Sequence, residues 1–181
     1  MKRILTALLC VCMIAVVSAG CGYTDALDKQ NSETKATQAT EQTATEDEVK
    51  ADSYENNLDG LSKYFADKGY IAKDKDGKID KNYVTKMDAS LIGAKSGNKY
   101  KYGTITIELY EFDKTDGDVY KSVKETGKFE ILDLPEVTAH ISDNGKFMLI
   151  YTDTSIDESK TDAENYTKRQ TVIDDFKSFN K

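Results

Sequence analysis

The chain has 181 residues and an acidic balance, with 32 Asp and Glu against 25 Lys and Arg and a formal net charge of −7. We therefore do not expect nucleic acid as a partner, because proteins that bind it present a surplus of Lys and Arg to the phosphates. The length allows one domain of ordinary size. No internal repeat is evident in the sequence.

The N-terminus has the layout of a secretory signal peptide. Lys2 and Arg3 form a basic start, and residues 4–17 form an uncharged apolar run. As a helix this run would extend about 21 Å, whereas the hydrocarbon core of a bilayer is about 30 Å thick. Its length therefore favours a signal-peptide core over a membrane span. Small residues occupy positions 18–20, as a signal-peptidase cleavage site requires.

Residues 17–21 read VSAGC and resemble the lipobox of bacterial lipoproteins of the Gram-positive, clostridial type. The resemblance implies that the Gly20–Cys21 bond is cleaved, that residues 1–20 are a lipoprotein signal peptide, and that the Cys21 thiol carries a diacylglycerol. Ser18 departs from the family, which usually has Leu or another aliphatic residue there. The alternative is an ordinary secretory signal that is cut elsewhere, with a cysteine present by chance.

A diacylglyceryl group on Cys21 would hold the protein on the extracytoplasmic face of the cell membrane. Two acyl chains meet the requirement for stable anchoring, since a single chain binds reversibly. Cys10 and Cys12 lie in the segment that would be removed. The mature chain would then have no disulfide and no thiolate metal site.

Residues 21–51 are predicted to be a disordered linker that begins at the acylated cysteine. The segment is rich in Thr, Gln, Ala, Glu and Ser and has few large apolar residues. It cannot bury enough surface to offset the entropy that ordering would cost. The remaining residues, 52–181, are predicted to form a single domain.

The domain is predicted to begin with a helix at about 53–68. Asp52 and Glu55 have the spacing of a capping box, apolar residues then recur at helical intervals, and Gly69 fits the position after the C-terminus. Apolar residues between 83 and 92 indicate a second, short helix.

The middle of the domain contains the clearest strand. Residues 104–109 alternate with period two and are rich in β-branched side chains. Residues 99–102 either extend this strand or form its hairpin partner. A short helix follows near residue 119, and Gly127 closes it.

Strands near 128–132, 136–142 and 146–152 come next. The last two are joined by Asn144-Gly145, the strongest short-range signal for a hairpin. A final helix is predicted from a capping box formed by Thr161 and Glu164, and its apolar stripe consists of Tyr166, Val172, Ile173, Phe176 and Phe179. Helices and strands do not alternate one for one, so we expect an α+β fold with an antiparallel sheet of about four strands covered by helices.

Residues 74–80 resemble part of an EF-hand or dockerin-type calcium loop. With Gly77 at the sixth loop position, Asp74, Asp76 and Asp80 would fall at ligand positions. The two ends of the loop depart from the family, because Ala72 and Tyr83 stand where it uses acidic residues. The favoured interpretation is an Asp-Gly turn, and the three aspartates remain candidates for a site of at most millimolar calcium affinity.

Two further sets of residues could support catalysis. His140 is the only histidine, and the alternation of residues 137–141 places it on the solvent face of its strand, without a recognisable triad partner. Glu108, Glu111 and Asp113 could supply a carboxylate pair for glycoside hydrolysis. Glu111 shares a face with apolar strand residues, unless the strand ends or bulges before it.

Tyrosines on predicted strands could form a surface that stacks on a glycan or a peptide. Most of them are expected to be core residues with their hydroxyls at the rim. The set consists of Tyr100, Tyr102, Tyr110 and Tyr151.

The domain itself resembles the C-terminal parts of clostridial-type lipoproteins of unknown activity, in the stretches TITIELYEFD and ISDNGKFMLIYTD. This resemblance implies no binding residues and no cofactor. Our hypothesis is a non-enzymatic, membrane-anchored module that binds an envelope protein or a glycan. The alternatives are a small envelope hydrolase that uses a carboxylate pair and a small solute-binding protein, which would need an apolar pocket.

Overall fold

A five-stranded antiparallel sheet organises the part of the chain that the computed structural model describes, residues 48–131 and 135–181. From one edge to the other, its strands are β1 (Val84–Met87), β2 (Ser96–Tyr102), β3 (Ile105–Glu111), β7 (Phe147–Asp153) and β6 (His140–Ile141). Two short strands, β4 (Lys128–Phe129) and β5 (Val137–Thr138), pair with each other in a separate small sheet.

Helices cover both faces of the five-stranded sheet. On one face α1 (Leu58–Asp67) and α3 (Glu164–Ser178) pack against apolar side chains of β2, β3 and β7. On the other face α2 (Asp118–Thr126) packs against a second apolar cluster that includes Tyr110 and Met148. The α+β fold with an antiparallel sheet is thus confirmed, with five strands in the main sheet where about four were predicted.

The central hairpin agrees with the prediction from alternation. β3 extends through Glu111, and β2 pairs with it along its whole length, so residues 99–102 belong to the hairpin partner. Gly97 lies opposite Tyr110, and a Cβ on Gly97 would come within 2.4 Å of the tyrosine ring. Glycine is therefore required for the ring to lie across the neighbouring strand.

The first helix begins later than the capping-box prediction. The side chain of Asn57 accepts a hydrogen bond from the N–H of Gly60 at 2.8 Å, so Asn57 is the N-cap of α1. Residues 51–53 form a separate 3-10 turn, and the core contacts already begin at Val49, within the predicted linker. The prediction that Gly69 follows the C-terminus of this helix is confirmed, because Gly69 has a φ of +77°.

The predicted short helix at 83–92 is wrong in its first half. Residues 84–87 form β1, which pairs with β2, and Ala89–Ile92 form a 3-10 helix. Apolar residues at both helical and strand spacing occur here, and β2 offers an edge to which Val84 and Thr85 can bond. Strand pairing with a distant segment therefore overrides the local pattern.

The predicted strand at 136–142 is broken at Ala139. Val137 and Thr138 pair with β4, the N–H of Ala139 donates to the carbonyl of Gly127 at 2.9 Å, and residues 140–141 pair with β7. β4 covers only the first two residues of its predicted range, 128–132, and residue 132 lies outside the described residues. The break separates β5 from the edge of the main sheet.

The C-terminal predictions are confirmed in part. The Asn144-Gly145 turn joins β6 to β7, and Gly145 has a φ of +72°. The final helix begins after Ala163, whose side chain cannot cap it, so the Thr161–Glu164 capping box is wrong. Of its predicted stripe, Tyr166 is only half-buried, whereas the other members are buried: Val172, Ile173, Phe176 and Phe179.

Candidate functional site

The predicted lipid anchor lies outside the described residues. This holds for Cys21, for the Gly20–Cys21 cleavage site, and for the linker up to residue 47. Among the helices of residues 48–131 and 135–181, none combines the length and the apolar character needed to cross a bilayer. The anchor therefore stays a prediction from the sequence.

The calcium candidates lie in a tight hairpin-like turn. One carboxylate oxygen of Asp74 accepts the N–H groups of Asp76 and Lys78, both at 2.9 Å, and Gly77 has a φ of +76°. Asp80 caps the next 3-10 helix by accepting the N–H of Asn82 at 2.9 Å. These carboxylates thus bond to their own backbone, as an Asp-Gly turn requires.

No group of three or more His, Cys, Asp or Glu side chains in the described ranges is arranged to hold a metal ion. Asp74, Asp76 and Asp80 belong to those ranges, so their shared position on the turn does not amount to a cluster of ligands.

The candidate carboxylate pair does not converge. Glu108 and Glu111 lie three residues apart on β3 and therefore point to opposite faces of the sheet. Glu108 forms an ion pair with Lys99 at 2.9 Å and accepts the Tyr110 hydroxyl at 2.7 Å. The pair proposed for hydrolysis is thus divided between two separate environments.

Glu111 is buried, and the alternative that the strand ends or bulges before this residue is wrong, because β3 pairs regularly with β2 through Glu111. One of its oxygens accepts the N–H of Leu58 at 3.0 Å, at the N-terminus of α1. Its other oxygen lies 3.2 Å from the ammonium of Lys146 and 3.7 Å from that of Lys95, which also pairs with Asp113 at 3.2 Å. The buried charge therefore holds a helix to the sheet.

The tyrosines do not form a row. Tyr100 and Tyr110 are buried on opposite faces of the sheet, and Tyr151 is half-buried. Tyr102 is 63% exposed and packs edge to face against Tyr83, with 5.2 Å between the ring centroids. The hypothesis that these four tyrosines form one continuous stacking surface is therefore wrong.

His140 is half-buried, and its predicted place on a solvent face is wrong. It pairs with Leu149 and lies on the face that α3 covers, near Arg169 and Lys177. Burial lowers the pKa of His140 below its ordinary value, and the positive charges of Lys177 and Arg169 lower it further. The imidazole is therefore neutral at pH 7. The alternation itself holds, because Val137, Ala139 and Ile141 all belong to the second apolar cluster, but α3 covers the opposite face, which the sequence pattern had assigned to solvent.

A cleft of about 600 Å³ lies beside His140, between the end of β7, β5 and α3. Volumes of about 300–1,000 Å³ are typical of ligand-binding clefts. The β7 wall consists of residues 150–153, and α3 contributes Arg169, Gln170 and Ile173. The remaining lining residues come from β5 and the flanking loops: Glu136, Val137, Thr138 and Glu158.

The backbone of β7 forms an open edge in this cleft. β6 pairs only with Met148 and Leu149, whereas β7 continues to Asp153. The N–H of Ser142 donates to the carbonyl of Phe147 at 3.0 Å. The backbone N–H and carbonyl groups of the odd-numbered residues of β7 therefore point toward β6, and those of the even-numbered residues point toward β3. Within residues 48–131 and 135–181, the N–H and carbonyl of Tyr151 and the N–H of Asp153 have no hydrogen-bond partner on that side.

The charged groups of the cleft are mostly acidic. Arg169 forms a bidentate pair with Glu158, with N–O distances of 2.5 and 2.9 Å, and this pair raises the pKa of Arg169 and lowers that of Glu158. Burial raises the pKa of Asp153, but hydrogen bonds from Ser155 outweigh it and keep the pKa below its usual range. Asp153 is therefore ionised at neutral pH.

Sequence reasoning missed this cleft because its walls come from segments that are distant along the chain. One signal was present: apart from Arg3, Arg169 is the only arginine in the sequence. It pointed to no partner, since Glu158 lies in a loop with no periodic pattern.

Comparison with known proteins adds no likeness from which a function could be transferred. No protein-family model, no curated protein and no solved structure matches this chain.

Proposed function

We propose that the protein is a non-enzymatic lipoprotein on the extracytoplasmic face of the cell membrane, and that its folded domain binds a ligand in the cleft beside β7. The lipobox-like residues 17–21 support the anchor. The cleft supports the binding role, because it joins an open strand edge to a mixed lining of apolar and charged side chains. That edge is the observation on which the proposal depends.

A binding module is favoured over the envelope hydrolase by the positions of the acidic residues. Glu108 and Glu111 face opposite sides of the sheet, and each already has ion-pair partners. The cleft is also unlike an apolar solute pocket, since Glu136, Asp153 and Glu158 line it together with Arg169. An open, charged cleft suits a polar or macromolecular ligand.

The anchor is tested by expressing the full chain in a Gram-positive cell and comparing it with Cys21→Ser. We expect the unaltered protein in the membrane fraction, with a mass that corresponds to a diacylated N-terminal Cys21. Cys21→Ser should lose the lipid and leave the membrane fraction. An unlipidated Cys21, or a retained Met1, would overturn this half of the proposal.

The cleft is tested by cross-linking the full-length protein to envelope extract. Thr138 is exposed on β5 and lines the cleft, so Thr138→Trp should block it. Thr85 is exposed on β1 at the opposite edge of the sheet, and Thr85→Trp is the matched control. We expect Thr138→Trp to reduce the major cross-linked product at least about tenfold and Thr85→Trp to leave it unchanged. Equal yields from both variants would show that the ligand lies elsewhere.

A further inference from the structure

We propose that the ligand is an extended, cationic segment of another polypeptide, which adds to the main sheet as a strand beside residues 150–153 of β7. This inference rests on the proposed function, because it assumes that the cleft is the binding site, and it names the chemical class of the ligand.

Backbone groups of β7 are directed into the cleft. The N–H and carbonyl of Tyr151 and the N–H of Asp153 face the cleft along the line that β6 would occupy if it continued. Neighbouring strands lie about 4.8 Å apart, so a segment placed there would satisfy these groups by main-chain hydrogen bonds. Peptide recognition by strand addition uses such an edge.

In the part of the chain that the structure describes, no strand pairs with this stretch of β7 on the side that faces the cleft. β5 would continue β6 beside β7, but the chain turns at Ala139, where its N–H bonds to Gly127. Val137 and Thr138 then pair with β4. The edge is therefore left open by a competing pairing, and the space left between β5 and β7 is the cleft itself.

The lining of the cleft offers contacts to both faces of an added strand. Side chains of an added strand would alternate between the two faces of the sheet. On the α3 side they would meet His140 and Ile173, and on the other side they would meet Val137 and Ile150, which belong to the second apolar cluster. The cleft thus offers an apolar contact on each side of a single extended segment.

The charged side chains that line the cleft are mostly carboxylates. The carboxylates of Glu136, Asp153 and Glu158 line the cleft against the single guanidinium of Arg169. His140 is neutral at pH 7. Lys128, which does not line the cleft, forms an ion pair with Glu136 at 2.5 Å. Arg169 and Lys128 pair with Glu158 and Glu136, and the charge of Lys168 helps to lower the pKa of Asp153, so the acidic charge of the cleft is offset in part. The formal charge of the whole chain, −7, favours the approach of a cationic partner.

Residue-resolved hydrogen exchange on the full chain in detergent tests the inference. The probe is the peptide acetyl-KVTVK-amide, and the comparison peptides are the same sequence N-methylated on alternate residues and acetyl-EVTVE-amide. We expect the cationic peptide to slow exchange at Tyr151 and Asp153 at least about tenfold. The amide of Thr152 serves as an internal control, because it already faces β3.

The comparison peptides separate strand addition from other binding. N-methylation on the bonded side should abolish the protection, and the acidic peptide should bind at least about fivefold more weakly. Glu136→Gln should weaken the cationic peptide about threefold without altering the melting temperature. Binding without protection of Tyr151 and Asp153, equal affinity for both charge types, or no binding of any peptide would each overturn the inference.

Hydrogen exchange measured without added peptide distinguishes other occupants of the β7 edge. Protection of Tyr151 and Asp153 that grows with protein concentration would identify a second copy, and protection that is independent of concentration would identify a segment of the same chain. Either result would overturn the inference. If Thr138→Trp still abolishes cross-linking while the peptides fail, the proposed function stands and only the ligand class is wrong.

Discussion

The carboxylate of Glu111, the last residue of β3, accepts a hydrogen bond from the backbone N–H of Leu58, the first residue of α1, at 3.0 Å. The N-terminus of a helix carries a partial positive charge, which favours an anion there. Lys146 and Lys95 complete the surroundings of this buried carboxylate. The sheet therefore supplies the charge that holds α1 in place.

Glu111→Gln should destabilise the domain by about 2 kcal/mol, because it removes a buried charge that bonds to a helix terminus and faces two ammonium groups. The measurement is the free energy of unfolding from chemical denaturation. Glu108→Gln is the matched control on the same strand and should cost about 0.5–1 kcal/mol, since Glu108 pairs with a partly exposed lysine. Equal costs for the two variants would contradict the role of Glu111.

Gly97→Ala should cost about 1–3 kcal/mol, because the new Cβ would lie 2.4 Å from the ring of Tyr110 and the ring would have to move. Thermal unfolding measures the loss. In a Tyr110→Ala background the same change should be nearly neutral, which a double-mutant cycle detects. Gly117→Ala is the control, since nothing lies within 4 Å of that position, and a loss as large as at Gly97 would refute the steric explanation.

Asp74→Ala should cost about 1–2 kcal/mol, because one carboxylate oxygen accepts two backbone N–H groups across the turn. Asp76→Ala should change stability by less than about 0.5 kcal/mol, since exposed substitutions away from such bonds have small effects. We expect calcium at millimolar concentration to leave the melting temperature of the unaltered protein unchanged. A calcium-dependent rise that Asp74→Ala removes would instead support the calcium-loop interpretation.

His140 should make the domain less stable as pH falls below 6.5, its ordinary pKa. The folded-state pKa is lower, so the unfolded chain takes up the proton first and stability rises with pH between the two values. His140→Gln should flatten this dependence in denaturation measured from about pH 7.5 to about pH 5.5. Lys177→Gln should flatten it in part, because the positive charge of Lys177 lowers the pKa of His140 more than any effect except burial. An unchanged slope in His140→Gln would contradict the assignment.

Signals between near neighbours were sufficient to predict several elements of this fold. The alternation of β3 depends only on consecutive residues, and the Asn144-Gly145 turn and the glycines after α1 and α2 depend on local backbone angles. The lipid anchor also depends on a local pattern, residues 17–21, and it stays a prediction. Helix starts were harder, because Asp52 and Thr161 had suitable side chains, whereas the backbone turned into a helix only at Asn57 and Ala163.

Tertiary structure decided the features that bear on function. Glu111 meets Leu58 across 53 residues of sequence, and no periodicity encodes that contact. The cleft exists because residues 137–141 divide their hydrogen bonds between β4 and β7, which is a competition between two distant partners. The amino-acid sequence alone indicated most of the strand segments, although not β1, but only the packed chain determined which strand edge was left open.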